Sequence, residues 1–183
     1  MEMYYDEADI PSLDLFECAP KLQEVFVNPE LWNFTVTMQV PWPQLLKYGG
    51  SNTWNGHLDA LRSGSNLVEC TLEVASGFGP LGPRVLLPRL LRLSLSDTAF
   101  LTSLETPALL ELHCDADSTL PSFFYRVPCQ LQKLGLGVLE NTDVSGLITI
   151  INAIPTITYL GIVSKLPAEL LHELCATPNW RLR

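Results

Sequence analysis

One short phrase recurs along the chain, and it limits the folds open to this chain more than any other feature. It reads Pro or Ser, a spacer, an aliphatic residue, two spacers, an apolar residue, one spacer, and an apolar or small residue. Pro88-Arg89-Leu90-Leu91-Arg92-Leu93-Ser94-Leu95 is the clearest copy, and Pro107-Ala108-Leu109-Leu110-Glu111-Leu112-His113-Cys114 repeats it. Earlier copies are Pro20-Lys21-Leu22 leading to Val25 and Val27, Pro43-Gln44-Leu45 leading to Tyr48, and Ser65-Asn66-Leu67 leading to Cys70 and Leu72. Later copies are Leu131 with Leu134 and Leu136, and Pro155-Thr156-Ile157 with Leu160 and Ile162. Pro178-Asn179-Trp180-Arg181-Leu182 has the form of an eighth beginning. The anchors are residues 22, 45, 67, 90, 109, 131 and 157, separated by 23, 22, 23, 19, 22 and 26 residues. Self-similarity at such a period is a signature of repeat architecture.

The spacing within the phrase has a mechanical meaning. Its last two apolar residues are two apart, so they face the same side of a short strand. The anchor sits three residues earlier, in the bend that enters the strand. One copy cannot bury that face alone, whereas stacked copies lay the strands side by side over one continuous core. The mean spacing of about 22.5 residues falls within the range of leucine-rich repeats. The expected fold is therefore α/β: a leucine-rich-repeat solenoid of seven repeats, with a curved parallel β-sheet on the concave side and short helices and loops on the convex side. Strands are expected near 24–28, 47–51, 69–73, 92–96, 111–115, 133–137 and 159–163, within a repeat domain over 13–183 that follows an acidic segment at 1–12.

The connectors differ. Asp143 to Ala153 has the 3.6-residue apolar period of a helix that stops before Pro155. Pro167 to Ala176 starts with Pro at a first helical position. Leu13–Cys18, His57–Arg62 and Thr119–Arg126 read as short helices. Val74–Leu86, rich in Gly and Pro, reads as an irregular loop, and Phe34–Met38 as an extra strand.

The phrases resemble the leucine-rich-repeat region of fungal F-box proteins. The resemblance rests on Val40-Pro41-Trp42-Pro43-Gln44-Leu45, Leu87-Pro88-Arg89-Leu90-Leu91-Arg92-Leu93-Ser94-Leu95 and Thr106-Pro107-Ala108-Leu109-Leu110-Glu111-Leu112, and it spans residues 13–182. In that family an F-box helix bundle docks on a ubiquitin-ligase adaptor and the repeats select a substrate. The resemblance therefore implies substrate recognition by a protein-binding surface. No LPxE-type F-box segment precedes the first repeat, so adaptor binding is not implied. The family's frequent Asn after the strand is matched only at Asn28; later equivalents are Ser, Glu, Asp, Gly or Val.

The register names the candidate face. Its first outward row is Glu24, Lys47, Glu69, Arg92, Glu111, Lys133 and Tyr159. Signs alternate over six strands whose neighbours lie about 4.8 Å apart. Two readings stand: a self-compensating charge ladder, or a polar groove whose charges re-pair with a partner. The second row is Phe26, Gly49, Thr71, Ser94, His113, Gly135 and Gly161. The third is Asn28, Ser51, Glu73, Ser96, Asp115, Gly137 and Val163. Both are mostly small, which would let a partner's backbone come close. The candidate partner-binding residues are thus Glu24, Lys47, Glu69, Arg92, Glu111, His113, Lys133 and Tyr159.

Other chemistry is weaker. In His113-Cys114-Asp115 the strand period sends Cys114 inward and its neighbours outward, so no nucleophile–base pair forms. His57 and His172 have no ligand pattern around them, and Glu169 with Glu173 reads as a solvated helix face. Gly77-Phe78-Gly79-Pro80 lacks the Lys and the helix of a phosphate loop. Trp32, Trp42 and Trp54 fall in connectors, where aromatic packing is the simpler role. The cysteines at 18, 70, 114, 129 and 175 form no CxxC pair and are odd in number, which fits reduced core thiols. No catalytic residue, cofactor or metal is expected.

A net charge of −9 disfavours nucleic-acid and anionic-membrane partners. The N-terminus lacks the basic and apolar regions of a signal peptide, and no apolar run nears the roughly 20 residues of a membrane span. The expectation is a soluble intracellular scaffold, cytoplasmic or nuclear, that binds a protein. The alternative is a fragmentary repeat domain without binding activity of its own.

Overall fold

The structure, a computed structural model, describes residues 19–27, 40–75, 82–137 and 144–163. Seven strands form one parallel sheet: β1 (Glu24–Val27), β2 (Lys47–Asn52), β3 (Glu69–Val74), β5 (Arg92–Leu95), β7 (Glu111–Cys114), β8 (Lys133–Leu136) and β9 (Tyr159–Ile162). They lie in the order β1-β2-β3-β5-β7-β8-β9, so each copy of the phrase sits beside the copy before it. The two remaining strands, β4 (Val85–Leu86) and β6 (Leu104–Glu105), pair with each other in a separate two-stranded sheet.

The proline of the phrase has a specific task. The anchor amide hydrogen-bonds the carbonyl three residues earlier at Leu22 (3.0 Å), Leu45 (3.2 Å), Leu67 (3.3 Å), Leu90 (3.3 Å), Leu109 (3.1 Å) and Ile157 (3.3 Å). Each bond closes a β-turn whose second residue is Pro20, Pro43, Ser65, Pro88, Pro107 or Pro155. Proline at that position pre-sets the backbone angle the turn requires and gives up an amide the turn does not need. Leu131 is the exception. Pro128 stands three residues before it instead of two, and the local bond runs from the Cys129 amide to the Val127 carbonyl at 2.8 Å.

The turns deliver the chain to the same junction six times. The carbonyls of Gln23, Leu46, Val68, Leu91, Leu110 and Gln132 each accept two consecutive amides from the next unit, at 2.8–3.1 Å. The turns also hold one another. Gln44 donates to the Ala19 carbonyl at 2.6 Å, Asn66 to the Pro43 carbonyl at 2.7 Å, and Arg89 to the Asn66 side chain at 2.9 Å.

One side of the sheet is the core. Val25, Tyr48, Cys70, Leu93, Leu112 and Leu134 form one buried row, and Leu72, Leu95, Cys114 and Leu136 form the next. The buried anchors Leu45, Leu67, Leu90, Leu109 and Leu131 add a third. Cys70 and Cys114 are free thiols here, and burial pushes both up to about 12.

Gly50 stands in an inward row because nothing larger fits. Its φ is +131°, and a Cβ there would overlap the Val27 carbonyl.

The backing varies from unit to unit. Helices α1 (Trp54–Ser63), α2 (Thr119–Arg126) and α3 (Val144–Asn152) follow β2, β7 and β8, while β4 and a 3-10 segment, Thr98–Ser103, serve the middle. Thr53 caps α1 by accepting the Gly56 amide. Arg126, at the end of α2, donates to the carbonyls of Leu101 at 2.7 Å and Leu104 at 3.3 Å, tying α2 to the middle backing.

The sheet is open, and the curvature expected from the sequence is not part of it. Curvature needs backing elements uniformly wider than the strand spacing of about 4.8 Å. Here the backing alternates between helix, 3-10 turn and two-residue strand.

The expected loop at Val74–Leu86 needs correction at both ends, since Val74 belongs to β3 and Val85–Leu86 is β4. The helix expected at His57–Arg62 starts three residues earlier and ends one later. The expectations for 1–12, Leu13–Cys18, Asn28, Trp32, Phe34–Met38, Gly77–Pro80, Pro167–Ala176 and Pro178–Leu182, including His172, Cys175, Glu169 and Glu173, lie outside the described residues.

A candidate interaction face on the open side of the sheet

The strand pairing places the first outward row as the sequence period requires. Glu24 lies opposite Lys47, Lys47 opposite Glu69, Glu69 opposite Arg92, Arg92 opposite Glu111, Glu111 opposite Lys133, and Lys133 opposite Tyr159. Period-two alternation puts these seven side chains on the side away from the core.

Register does not make every neighbouring pair an ion pair. Lys47 bridges Glu24 at 3.8 Å and Glu69 at 3.7 Å. Arg92 reaches the same Glu69 with two nitrogens, Nε at 3.0 Å and Nη2 at 2.7 Å. Lys133 meets Glu111 at 3.5 Å. No ion pair within 4.0 Å joins Arg92 to Glu111 among the described residues.

Both partners at that break are engaged elsewhere. Arg92 is held by Glu69. The Glu111 carboxylate accepts from His113 Nε2 at 2.9 Å as well as from Lys133. The His113 hydrogen bond first, and Lys133 after it, hold the Glu111 carboxyl below the usual carboxylate range. The ladder is therefore two clusters: Glu24–Lys47–Glu69–Arg92, and His113–Glu111–Lys133.

Side chains from all three outward rows lie over glycines. Phe26, 69% exposed, covers Gly49, where an added Cβ would come 2.9 Å from the ring. His113 lies over Gly135 with its Nδ1 edge nearest, and Asp115 Oδ1 lies over Gly137. Tyr159, 56% exposed, leans over Gly161, with its ring 3.2 Å from the position of an added Cβ. Between these walls an open cleft of about 310 Å³ runs over β7, β8 and β9, with Ser94 and Val163 at its margins.

The His113-Cys114-Asp115 triplet is divided between the two sides of the sheet. Cys114 is buried while His113 is exposed and Asp115 half-buried, as the strand period requires. No three His, Cys, Asp or Glu side chains converge as metal ligands among the described residues. No helix among them is long and apolar enough to cross a membrane.

One polar group escaped the sequence reading. His57 on α1 is fully buried against the sheet. A carbonyl only accepts, so His57 donates from Nε2 to the Glu73 carbonyl at 3.1 Å, and its Nδ1 accepts from the Tyr48 hydroxyl at 3.0 Å. Burial drives the His57 pKa down and pushes Tyr48 up to about 12. Both ring nitrogens are used inside the core, so His57 is a structural clasp between α1, β2 and β3. Trp42 packs against Tyr48 and Trp54 against Phe100, with ring centroids 5.4 Å and 4.8 Å apart. These two tryptophans serve the aromatic packing expected of them. A scan against protein-family models, a search of curated proteins and a search of solved structures each return no match to this chain.

Proposed function

We propose that the chain is a non-catalytic protein-interaction scaffold of the leucine-rich-repeat solenoid type, binding a protein partner on the open face of its sheet. One observation carries the reading. Seven consecutive parallel strands present Glu24, Lys47, Glu69, Arg92, Glu111, Lys133 and Tyr159 as a single solvent-facing row, while every inward row is spent on the core. A row of this kind offers alternating charge for steering and register, and its ion pairs are exposed enough to re-pair with a partner. The resemblance to fungal F-box proteins extends the proposal to substrate recognition in an F-box-like ubiquitin ligase. Adaptor binding is not part of it.

The test is affinity capture with the full chain and with the triple reversal Glu69→Lys, Arg92→Glu, Glu111→Lys. The reversal keeps opposite signs at 69, 92 and 111 but sets lysines side by side at 47 and 69 and at 111 and 133; these contacts are on the open face, where a charge pair is worth less than about 1 kcal/mol, so the fold should survive, as circular dichroism would verify. Loss of every specific partner with the fold intact is the expected result. Retention of the same partners by the folded variant would remove the open face from consideration.

A further inference from the structure

The first outward row has a property that neither of its two clusters shows alone. It reads Glu24, Lys47, Glu69, Arg92, Glu111, Lys133: acids and bases in strict alternation, equal in number. An alternating row with an even number of members is its own complement when read backwards. Symmetric dimers are built on self-complementarity of this kind, because a two-fold axis presents one patch to its own copy.

A two-fold axis that brings two open faces together lies between them, parallel to both sheets. Run across the strands, it keeps the row in order and sets each charge on its own copy, Glu24 on Glu24. Run along the strands, midway between β3 and β5, it reverses the row. Glu24 then faces Lys133 of the second copy, Lys47 faces Glu111 and Glu69 faces Arg92, each pair occurring twice. The same axis preserves height along the strands, so the second row meets the second row. Phe26, 69% exposed, faces Gly135 of the second copy, Gly49 faces His113, and Thr71 faces Ser94. The large side chains of that row thus oppose glycines. In the third row Glu73 faces Ser96 and Ser51 faces Asp115, so no two like charges meet.

The shape of the face and the state of its charges permit this approach. The sheet is open and lacks curvature, so raised ends do not hold a second sheet away. Facing sheets stack about 10 Å apart, a gap that glutamate, lysine and arginine side chains span from both sides. The ion pairs within one face do not saturate its groups, whose side-chain exposure runs from 24% at Glu111 to 68% at Glu24. A carboxylate accepts several donors, and Arg92, with Nε and Nη2 on its own Glu69, has Nη1 to offer. The row sums to zero, so the net charge of −9 is carried elsewhere. At physiological salt that charge is screened beyond about 8 Å.

We infer that the partner of the open face is a second copy of this chain, docked face to face about a two-fold axis that runs along the strands between β3 and β5. The inference rests on the open-face reading and names the partner. The six facing strands, about 4.8 Å apart and four residues long at the shortest, make a contact of roughly 24 by 13 Å. That is the small, transient class of interface, so the dimer forms and dissociates with concentration.

Sedimentation velocity of the full chain at physiological salt, over a wide range of concentration, reads the assembly. Reversible growth from monomer to dimer and no further is the expected result. Glu69→Lys and Arg92→Glu each set like charges together twice at the axis and should weaken the dimer at least about tenfold. An equimolar mixture of the two variants should restore it, because each supplies the charge the other lacks. Asp59→Lys, on the exposed side of α1, changes the net charge as Glu69→Lys does and should leave the dimer as it is. Glu24→Lys mixed with Lys133→Glu repeats the test at the ends of the row, where each residue has one charged neighbour, and replaces the central pair if circular dichroism shows either of those unfolded. A chain that stays monomeric, a dimer indifferent to the substitutions, or a mixture no tighter than its components would overturn the inference. A monomer whose captured partners are lost on the triple reversal would leave the open-face reading standing with a different occupant.

Discussion

The two ends of the open face are built from the same phrase and behave differently. Over β1 to β5, Lys47 touches two carboxylates and Arg92 places two nitrogens on Glu69, so the outer row closes on itself. Over β7 to β9, the first-row carboxylate Glu111 is shared with His113 from the next row, and glycine fills the positions around it. The inner rows follow one rule throughout, apart from Gly50. The lesson is that a stacked sheet constrains its inner face tightly, by volume, and its outer face loosely, by charge balance. The looseness collects where side chains are smallest.

The largest expected contrast between the ends lies in the glycines. Gly50→Ala puts a Cβ against the Val27 carbonyl at a positive φ. It should cost about 2 kcal/mol or more by chemical denaturation, the strain of such a backbone. Gly161→Ala meets only the movable Tyr159 ring and should stay within about 0.5 kcal/mol of wild type. Equal costs would mean that both ends are under the same steric control.

The next contrast is titration. His57 is a buried histidine of the β1–β5 end, and its pKa is lowered from 6.5 mainly by burial. The unfolded chain therefore takes the proton first. The stability contributed by neutral His57 is complete above pH 6.5 and is lost as pH falls below it through the folded-state pKa. Hydrogen exchange should show α1, β2 and β3 losing protection before α2 and β8 as pH is lowered from neutrality. Tyr48→Phe removes the donor to Nδ1 and should cost about 1–2 kcal/mol at neutral pH. Simultaneous opening of both ends would deny His57 this local role.

The smallest contrast is electrostatic. Lys47→Glu puts three carboxylates side by side with Glu24 and Glu69, whereas Lys133→Glu opposes Glu111 alone. Each exposed pair contributes less than about 1 kcal/mol. Lys47→Glu should be the more destabilising of the two, and the difference should shrink in high salt. A difference that persists at high salt would point to packing of the lysine stem instead.

Much of this was legible in the residues. The first residue of all seven strands of the larger sheet, 24, 47, 69, 92, 111, 133 and 159, follows from the phrase, because an inward–outward period of two allows one register. Thr119–Arg126 was legible from its own pattern and matches α2. The start of α1 was hidden by Gly56, a poor helix former that stands where a larger residue would strike the Asn52 side chain. β4 and β6 carry no usable signal, since each is two residues long and exists only because the other lies beside it. The Tyr48–His57–Glu73 clasp has no repeat behind it and joins residues that no periodicity relates.

The amino-acid sequence by itself determined which residues turn inward, where each strand begins, and the alternation of charge along the outer row. These follow from local geometry: a proline-set turn, a strand of period two, and burial of every second residue. The tertiary structure decided which charges meet, because Arg92 had two carboxylates within register and took Glu69 while His113 claimed Glu111. It also decided that the glycines of β8 and β9 form a cleft. A glycine in a sequence records only a missing side chain, and the neighbour that leans over it is chosen by packing across strands.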